Sequence, residues 1–159
     1  MQEHHRVAIE RWAETAADDD EVLAVVVAGS LTKGYGSANS DVDGFVIVTP
    51  EYNHSTSGVL KNAIDYLYAE WNNKAVGFVS YGAVGGARAA EHLRLVAGEL
   101  QMADVRQQVA LSLITEFENF SVFKPNDYNL ASLDILLDQV IAWSNALAPL
   151  RQATATAAH

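Results

Sequence analysis

The sequence predicts an α/β fold of three layers, helices on both faces of a parallel sheet, and three observations carry that prediction. Short apolar, Val-rich runs recur along the chain, at Val22–Ala28, Phe45–Val48 and Ala75–Ser80. Segments with apolar residues at helical spacing alternate with them, which is the pattern of a doubly wound sheet. Two of the apolar runs end in loops rich in Pro, Gly, Ser and Asn, where open α/β sheets hold their ligands.

Each element follows from its own residues. Glu3–Ala17 places Val7, Ile9, Trp12, Ala13 and Ala16 near the helical period and reads as a surface helix, with His4 and His5 on different faces and solvated. Asp18–Glu21 is an exposed acidic turn. Val22–Ala28 is too short and too β-branched for a helix, so it reads as a central strand. Phe45–Val48 has no polar face to give to water and reads as a buried strand that Pro50 ends. Ser55, Thr56 or Ser57 caps the helix that begins near Gly58, whose Val59, Leu60, Ala63, Ile64, Leu67 and Tyr68 recur at helical spacing and are expected to cover a sheet face. Ala75–Ser80 is the next strand, Gly82–Gly86 a loop, and Ala90, Leu93, Val96, Ala97 and Leu100 the buried stripe of the following helix. Val109–Leu113 is the expected last strand and Leu130–Leu147 the final helix. Trp71, Trp143, Phe117, Phe120 and Phe123 read as core or subunit contacts rather than a cofactor box.

Composition narrows the function. Half of the 159 residues are apolar, enough for a substantial core, and the formal charge is −10 with only ten Lys and Arg. Such a balance disfavours a non-specific grip on nucleic acid or on an anionic membrane. There is no cysteine, hence no disulfide and no thiolate chemistry. No apolar run approaches the length of a membrane span and no hydrophobic leader is evident, so the expectation is a cytoplasmic protein.

Two stretches carry candidate chemistry. Gly29–Asp43, GSLTKGYGSANSDVD, offers glycines, hydroxyls and Lys33 to a phosphate, and it sets Asp41 and Asp43 two apart on one side of the chain, able to hold magnesium. The Gly29-Ser30 ending of an apolar strand, the turn at Gly34 and the Ser40-Asp41-Val42-Asp43 run resemble the start of a nucleotidyltransferase domain over about residues 5–49. That resemblance implies metal ligation by Asp41 and Asp43, a triphosphate contact by Ser30, and an antiparallel pairing of the two flanking strands. No later strand offers the third carboxylate that family needs.

The second stretch starts at Gly44. Pro50-Glu51-Tyr52-Asn53-His54-Ser55, Leu60-Lys61-Asn62-Ala63 with Asp65, Ser80-Tyr81-Gly82, Gly85-Gly86 and Arg88 together resemble the NAD(P)H-dependent FMN reductases of the flavodoxin-like superfamily, a likeness that extends to about Arg151. The resemblance implies a flavodoxin-like parallel sheet with an atypical or truncated N-terminal part, FMN as cofactor and NAD(P)H as co-substrate. It implies that Pro50, Glu51, Tyr52, Asn53, His54 and Ser55 lie along the isoalloxazine edge, with Ser80, Tyr81, Gly82, Gly85 and Gly86 lining the other side. Glu51 reads as a residue that fixes the loop rather than one that does chemistry. Ser30 and Lys33 stand where the family's phosphate loop belongs, although Lys33 gives a point charge in place of an arginine fork.

The chain therefore divides, as an expectation, into a nucleotidyltransferase-like segment at 1–43, a reductase-like segment at 44–151 and a disordered tail at 152–159. Strand 22–28 is expected to run parallel to strand 44–49, with residues 29–43 crossing back over the sheet. The function expected is an FMN-binding oxidoreductase. The alternatives are a flavodoxin-like scaffold that holds flavin poorly and a nucleotidyltransferase using Asp41 and Asp43. A homodimer or larger assembly is expected, because the N-terminal departure leaves a sheet edge to be covered.

Overall fold

Pro50 and Tyr81 stand side by side at one end of the sheet, and the rest of the architecture follows from why two strands end together there. A computed structural model describes residues 25–28 and 44–157. The elements are β1 (Val25–Ala28), β2 (Gly44–Pro50), α1 (Gly58–Asp65), a 3-10 turn at Ala69–Trp71, β3 (Ala75–Gly82), α2 (Ala87–Glu99), β4 (Ala103–Ser112), the short pair β5 (Phe117–Glu118) and β6 (Val122–Phe123), and α3 (Asp127–Ala157). The main sheet has the order β1-β2-β3-β4. β2, β3 and β4 are parallel, joined through α1 and α2.

Side chains alternate across the sheet with the strand period. Phe45, Ile47, Val76 and Phe78 meet Leu60 and Ile64 of α1 and Leu93 and Ala97 of α2 in one core layer. Val46, Val48, Val79, Val105 and Val109 meet Leu136 and Val140 of α3 in the other. Trp71 closes the first layer, its ring edge-on to Phe45 with centroids 4.8 Å apart and its Nε1–H donated to the Ile64 carbonyl at 3.0 Å. Ser57 caps α1, accepting from the Leu60 N–H at 3.2 Å. On the opposite face Gly77 lets α3 approach closely, for a Cβ there would lie 2.8 Å from Leu136 Cδ2 and 3.0 Å from Val140 Cγ2.

Three expectations change. β1 pairs with β2 antiparallel, Val25 opposite Ile47 and Ala28 opposite Gly44, where a parallel pairing was expected. Antiparallel neighbours need no crossover, whereas a parallel pair would require the Gly- and Ser-rich residues 29–43 to form one. The antiparallel sense is the one that the nucleotidyltransferase resemblance implies for these strands. β4 starts at Ala103, not Val109, because its first half alternates Val105 with Asp104, Arg106 and the Gln107–Gln108 pair and shows no apolar run. Arg94 makes that polar half habitable, with Nη1 pairing with Asp104 and donating to the Val105 carbonyl at 2.8 Å. α3 continues to Ala157, through the stretch from 152 expected as a tail and past Pro149. Its C-terminal half is tied down by Arg151, which donates to the Asn73 carbonyl at 3.0 Å.

Of the aromatic residues read as core or subunit contacts, Trp71 is buried and Phe117 packs half-buried against the second layer, while Trp143 and Phe120 are exposed. The expected helix 3–17, the acidic turn and residues 29–43 lie outside the described residues.

The close approach of α3 to β3 sets a test. Gly77→Ala is expected to destabilise the protein by about 1 to 3 kcal/mol, the cost of overpacking a filled interface. Urea unfolding followed by circular dichroism reads it, and an unchanged midpoint would show that the helix shifts freely.

Candidate functional site at the carboxyl edge of the parallel strands

The loops that follow β2 and β3 are neighbours because the strands end in register, Thr49 opposite Ser80 and Pro50 opposite Tyr81. The first loop turns back on itself at once. Tyr52 N–H donates to the Ser55 carbonyl at 2.8 Å and Ser55 N–H to the Tyr52 carbonyl at 2.9 Å, with Asn53 at φ 47° and His54 at φ 69° between them. Two successive residues in the left-handed region make this a tight turn of the I′ kind, which side chains other than Gly, Asn and Asp enter at some cost. The geometry also decides which amides remain. Glu51 N–H is taken by the Tyr81 carbonyl at 2.9 Å, Pro50 has none, and Tyr52 and Ser55 serve the turn. The N–H groups of Asn53 and His54 have no acceptor among the described residues.

Glu51 is the hub of this loop. Its side chain is 6% exposed, and its carboxylate accepts from Arg88 Nε at 2.6 Å and from the Arg88 backbone N–H at 3.1 Å, with Nη2 of the same guanidinium completing the ion pair. Arg88 is the second residue of α2, so Glu51 caps the start of a helix from another strand, satisfying a free N–H with a negative charge where the helix dipole favours one. The Arg88 side chain, through its hydrogen bonds, holds the Glu51 carboxyl below the usual carboxylate range against the opposing effect of burial. The remaining guanidinium nitrogen, Nη1, lies 3.2 Å from His54 Nε2. His92, one helical turn along α2, places Nδ1 2.8 Å from Ser55 Oγ.

The loop after β3 is built from inside. Ser80 is buried, donating its hydroxyl to the Gly85 carbonyl at 2.7 Å and accepting from Gln108 Nε2 at 2.9 Å. Gly86 has φ 70°, and a Cβ on it would lie 2.7 Å from the Tyr81 nitrogen, so only glycine closes the loop onto the strand. A Cβ on Gly85 would lie 2.9 Å from Ala110 Cβ. Ser80, Gly85 and Gly86 thus shape the loop instead of presenting an open surface, and the exposed tip is Ala83 and Val84. Tyr81 is half-buried with its phenol pKa pushed up by burial and, secondarily, by Tyr52, so it stays a protonated donor at neutral pH.

Of the expected site residues, Pro50–Ser55, Ser80, Tyr81, Gly82, Gly85 and Gly86 come together at this edge. Ser30, Lys33, Asp41 and Asp43 lie outside the described residues. β1 delivers the chain at Ala28 opposite Gly44, the end of β2 remote from Pro50. Among the described residues no cluster of three or more His, Asp or Glu side chains is placed to hold a metal ion. Sequence reading missed Gln108, Ala83 and Val84, which carry no motif, and the partnership of Arg88 with Glu51, whose residues stand 37 positions apart. The donor set suits the polar edge of a planar ring: two outward amides on a rigid turn, a protonated phenol, and little charge beyond the Arg88 pair.

A parallel sheet with two such loops at its carboxyl edge has the arrangement in which open α/β sheets hold their ligands, and comparison with known proteins gives the family. Residues 32–116 match the profile of the NADPH-dependent FMN reductases. An NAD(P)H-dependent FMN reductase of Schizosaccharomyces pombe is 39% identical over 114 residues, 70% of this chain and 57% of that protein. A second, from Saccharomyces cerevisiae, is 38% identical over 91 residues, 54% of this chain and 48% of the other. A 2-hydroxy-1,4-benzoquinone reductase of a Burkholderia species is 43% identical over 84 residues, 48% of this chain and 46% of that one. The chain belongs to the NADPH-dependent FMN reductase family. It spans about half the length of these relatives. The matched region starts twelve residues before Gly44, inside the stretch that resembles a nucleotidyltransferase.

The depressed Glu51 pKa fixes a pH dependence. A carboxylate whose folded pKa lies below its unfolded value adds stability that is fully present above the unfolded value and is lost as pH falls through the folded one. Glu51→Gln is expected to lower stability at pH 7 by about 1 kcal/mol, a figure kept small because Arg88 is 41% exposed, and to flatten the stability profile below about pH 4.5. Thermal melts of both proteins from pH 3 to 7 check it, and parallel profiles would show that the pair contributes nothing.

Proposed function

We propose that the protein binds FMN at the carboxyl edge of β2 and β3 and acts as an oxidoreductase that passes a hydride from NAD(P)H through the flavin to an acceptor. The observation that carries this reading is the pair of partnerless amides at Asn53 and His54, held on a fixed turn beside the β3 loop in a chain of the FMN reductase family. When bound, the flavin supplies the redox chemistry. The protein's own task is then to bind and orient, since hydride transfer asks no acid or base of it at neutral pH.

In this reading the Asn53 and His54 N–H groups donate to the polar edge of the isoalloxazine. Tyr52, Tyr81, Ala83 and Val84 are the side chains that the two loops offer to its ring. Ser80, Gly85 and Gly86 act indirectly by fixing the β3 loop. Ser30 and Lys33 contribute a weak phosphate contact at most, which the antiparallel course of β1 supports, because the chain leaves that strand at the far end of the sheet.

Calorimetric titration of the apoprotein with FMN and with riboflavin tests the proposal. Both are expected to bind, and removing the phosphate is expected to cost on the order of 1 kcal/mol, less than where a phosphate is fully coordinated by charge-assisted bonds. A thousandfold preference for FMN would show a competent phosphate site, and binding of neither flavin would replace the enzyme with a scaffold. We also infer a dimer or larger assembly, supported by Phe120 and Val122 of the β5–β6 hairpin, exposed at 72% and 58%. Light scattering at micromolar concentration is expected to return at least twice the chain mass, and a monomer mass would reject the inference.

A further inference from the structure

The Asn53–His54 turn is strained, and something must hold it. Both residues have positive φ, neither is glycine, and both are exposed, so packing does not lock them. Asn enters this region readily, but an imidazole-bearing residue does so at a cost, and such a conformation persists only where the surroundings over-determine it. The two cross-turn bonds between Tyr52 and Ser55 close the turn without orienting it on the sheet. Orientation comes from α2. Arg88 bonds Glu51, the residue before the turn, through two side-chain nitrogens and its backbone N–H, and reaches His54, the second residue of the apex, through Nη1. His92 bonds Ser55, the residue that closes the turn.

We propose that Arg88 is a positioning residue for the flavin ring, bridging Glu51 and His54 so that the Asn53 and His54 amides are aimed before any ligand arrives. The inference rests on the flavin reading of this edge. Its physical content is preorganisation: affinity gained because the turn does not have to be ordered on binding. An arginine is needed because one planar guanidinium serves a carboxylate on one edge and an imidazole nitrogen on the other. Lysine keeps the charge opposite Glu51 and offers no second arm. Alanine leaves Glu51 with the backbone N–H alone and His54 with no bond to α2.

The experiment uses Arg88→Ala and Arg88→Lys in the full chain, with folding confirmed by circular dichroism. Hydrogen exchange of the ligand-free protein is expected to show faster exchange at the Tyr52 and Ser55 amides in both variants, more so in the alanine variant. Fluorescence titration is expected to show Arg88→Ala weakening FMN and riboflavin alike, by about tenfold. Arg88→Lys is expected to recover part of that loss, and the absorption bands of the bound flavin are expected to shift in Arg88→Ala. Equal exchange and equal flavin affinity in a folded Arg88→Ala would overturn the proposal, and so would a loss confined to FMN, which marks a direct phosphate contact. If the alanine variant does not fold, Arg88→Lys decides on the same two readouts. A wild-type protein that binds neither flavin refutes the flavin reading on its own arm, and the exchange data then separately report whether Arg88 holds the turn.

Discussion

A single buried carboxylate organises the functional edge of this protein. Glu51 leaves the end of β2, passes its backbone N–H to β3, and gives its side chain to the first turn of α2. The end of β2 is thereby fixed to β3 and to the helix that follows it, beside the candidate ligand site. Its position is economical in electrostatic terms. A carboxylate buried beside a helix N-terminus and a guanidinium meets both the dipole and the counter-charge that make burial tolerable, and the depressed pKa reports that balance.

The rigidity of that edge is inherited from the sheet below it. β2 and β3 are filled on both faces, by α1 and α2 on one side and α3 on the other, so their ends have little freedom to drift apart. Glycines do two kinds of work here. Gly77 brings a helix close to a strand, whereas Gly85 and Gly86 fold a loop back against its own strand and against β4. Neither kind is an open platform for a ligand. The exposed part of the β3 loop is its tip, and the glycines explain why the tip stands where it does.

The N-terminal part obeys a different logic. β1 extends the sheet beside β2 in the antiparallel sense, at the position where flavodoxin-like sheets of order 2-1-3-4-5 put a parallel strand and its phosphate-binding loop. In the proposed reading, ring binding and phosphate binding are therefore separable: β2, β3 and α2 alone would build the first. The matched family region nevertheless reaches back to residue 32, so the likeness to the reductases does not stop at the start of β2.

Much of this was legible in the sequence. Val-rich runs and helical periodicity determined β2, α1, β3 and α2 and the parallel order among β2 to β4, because a strand buried on both faces has to be continuously apolar and its connection has to be an amphipathic helix. The Pro50–Ser55 and Ser80–Gly86 strings marked the edge that carries the site, since proline and glycine record backbone geometry in residue identity. The early start of β4 was hidden, because an edge strand neutralised by Arg94 needs no apolar run. Hidden too were the sense of β1, which depends on how a long connection closes in space, and the close packing of Gly86 against Tyr81. The bond from Glu51 to Arg88 was beyond reach for the same reason: each residue is unremarkable in its own stretch, and only the packing of α2 across the ends of β2 and β3 brings the carboxylate to the helix terminus and gives the charge its partner.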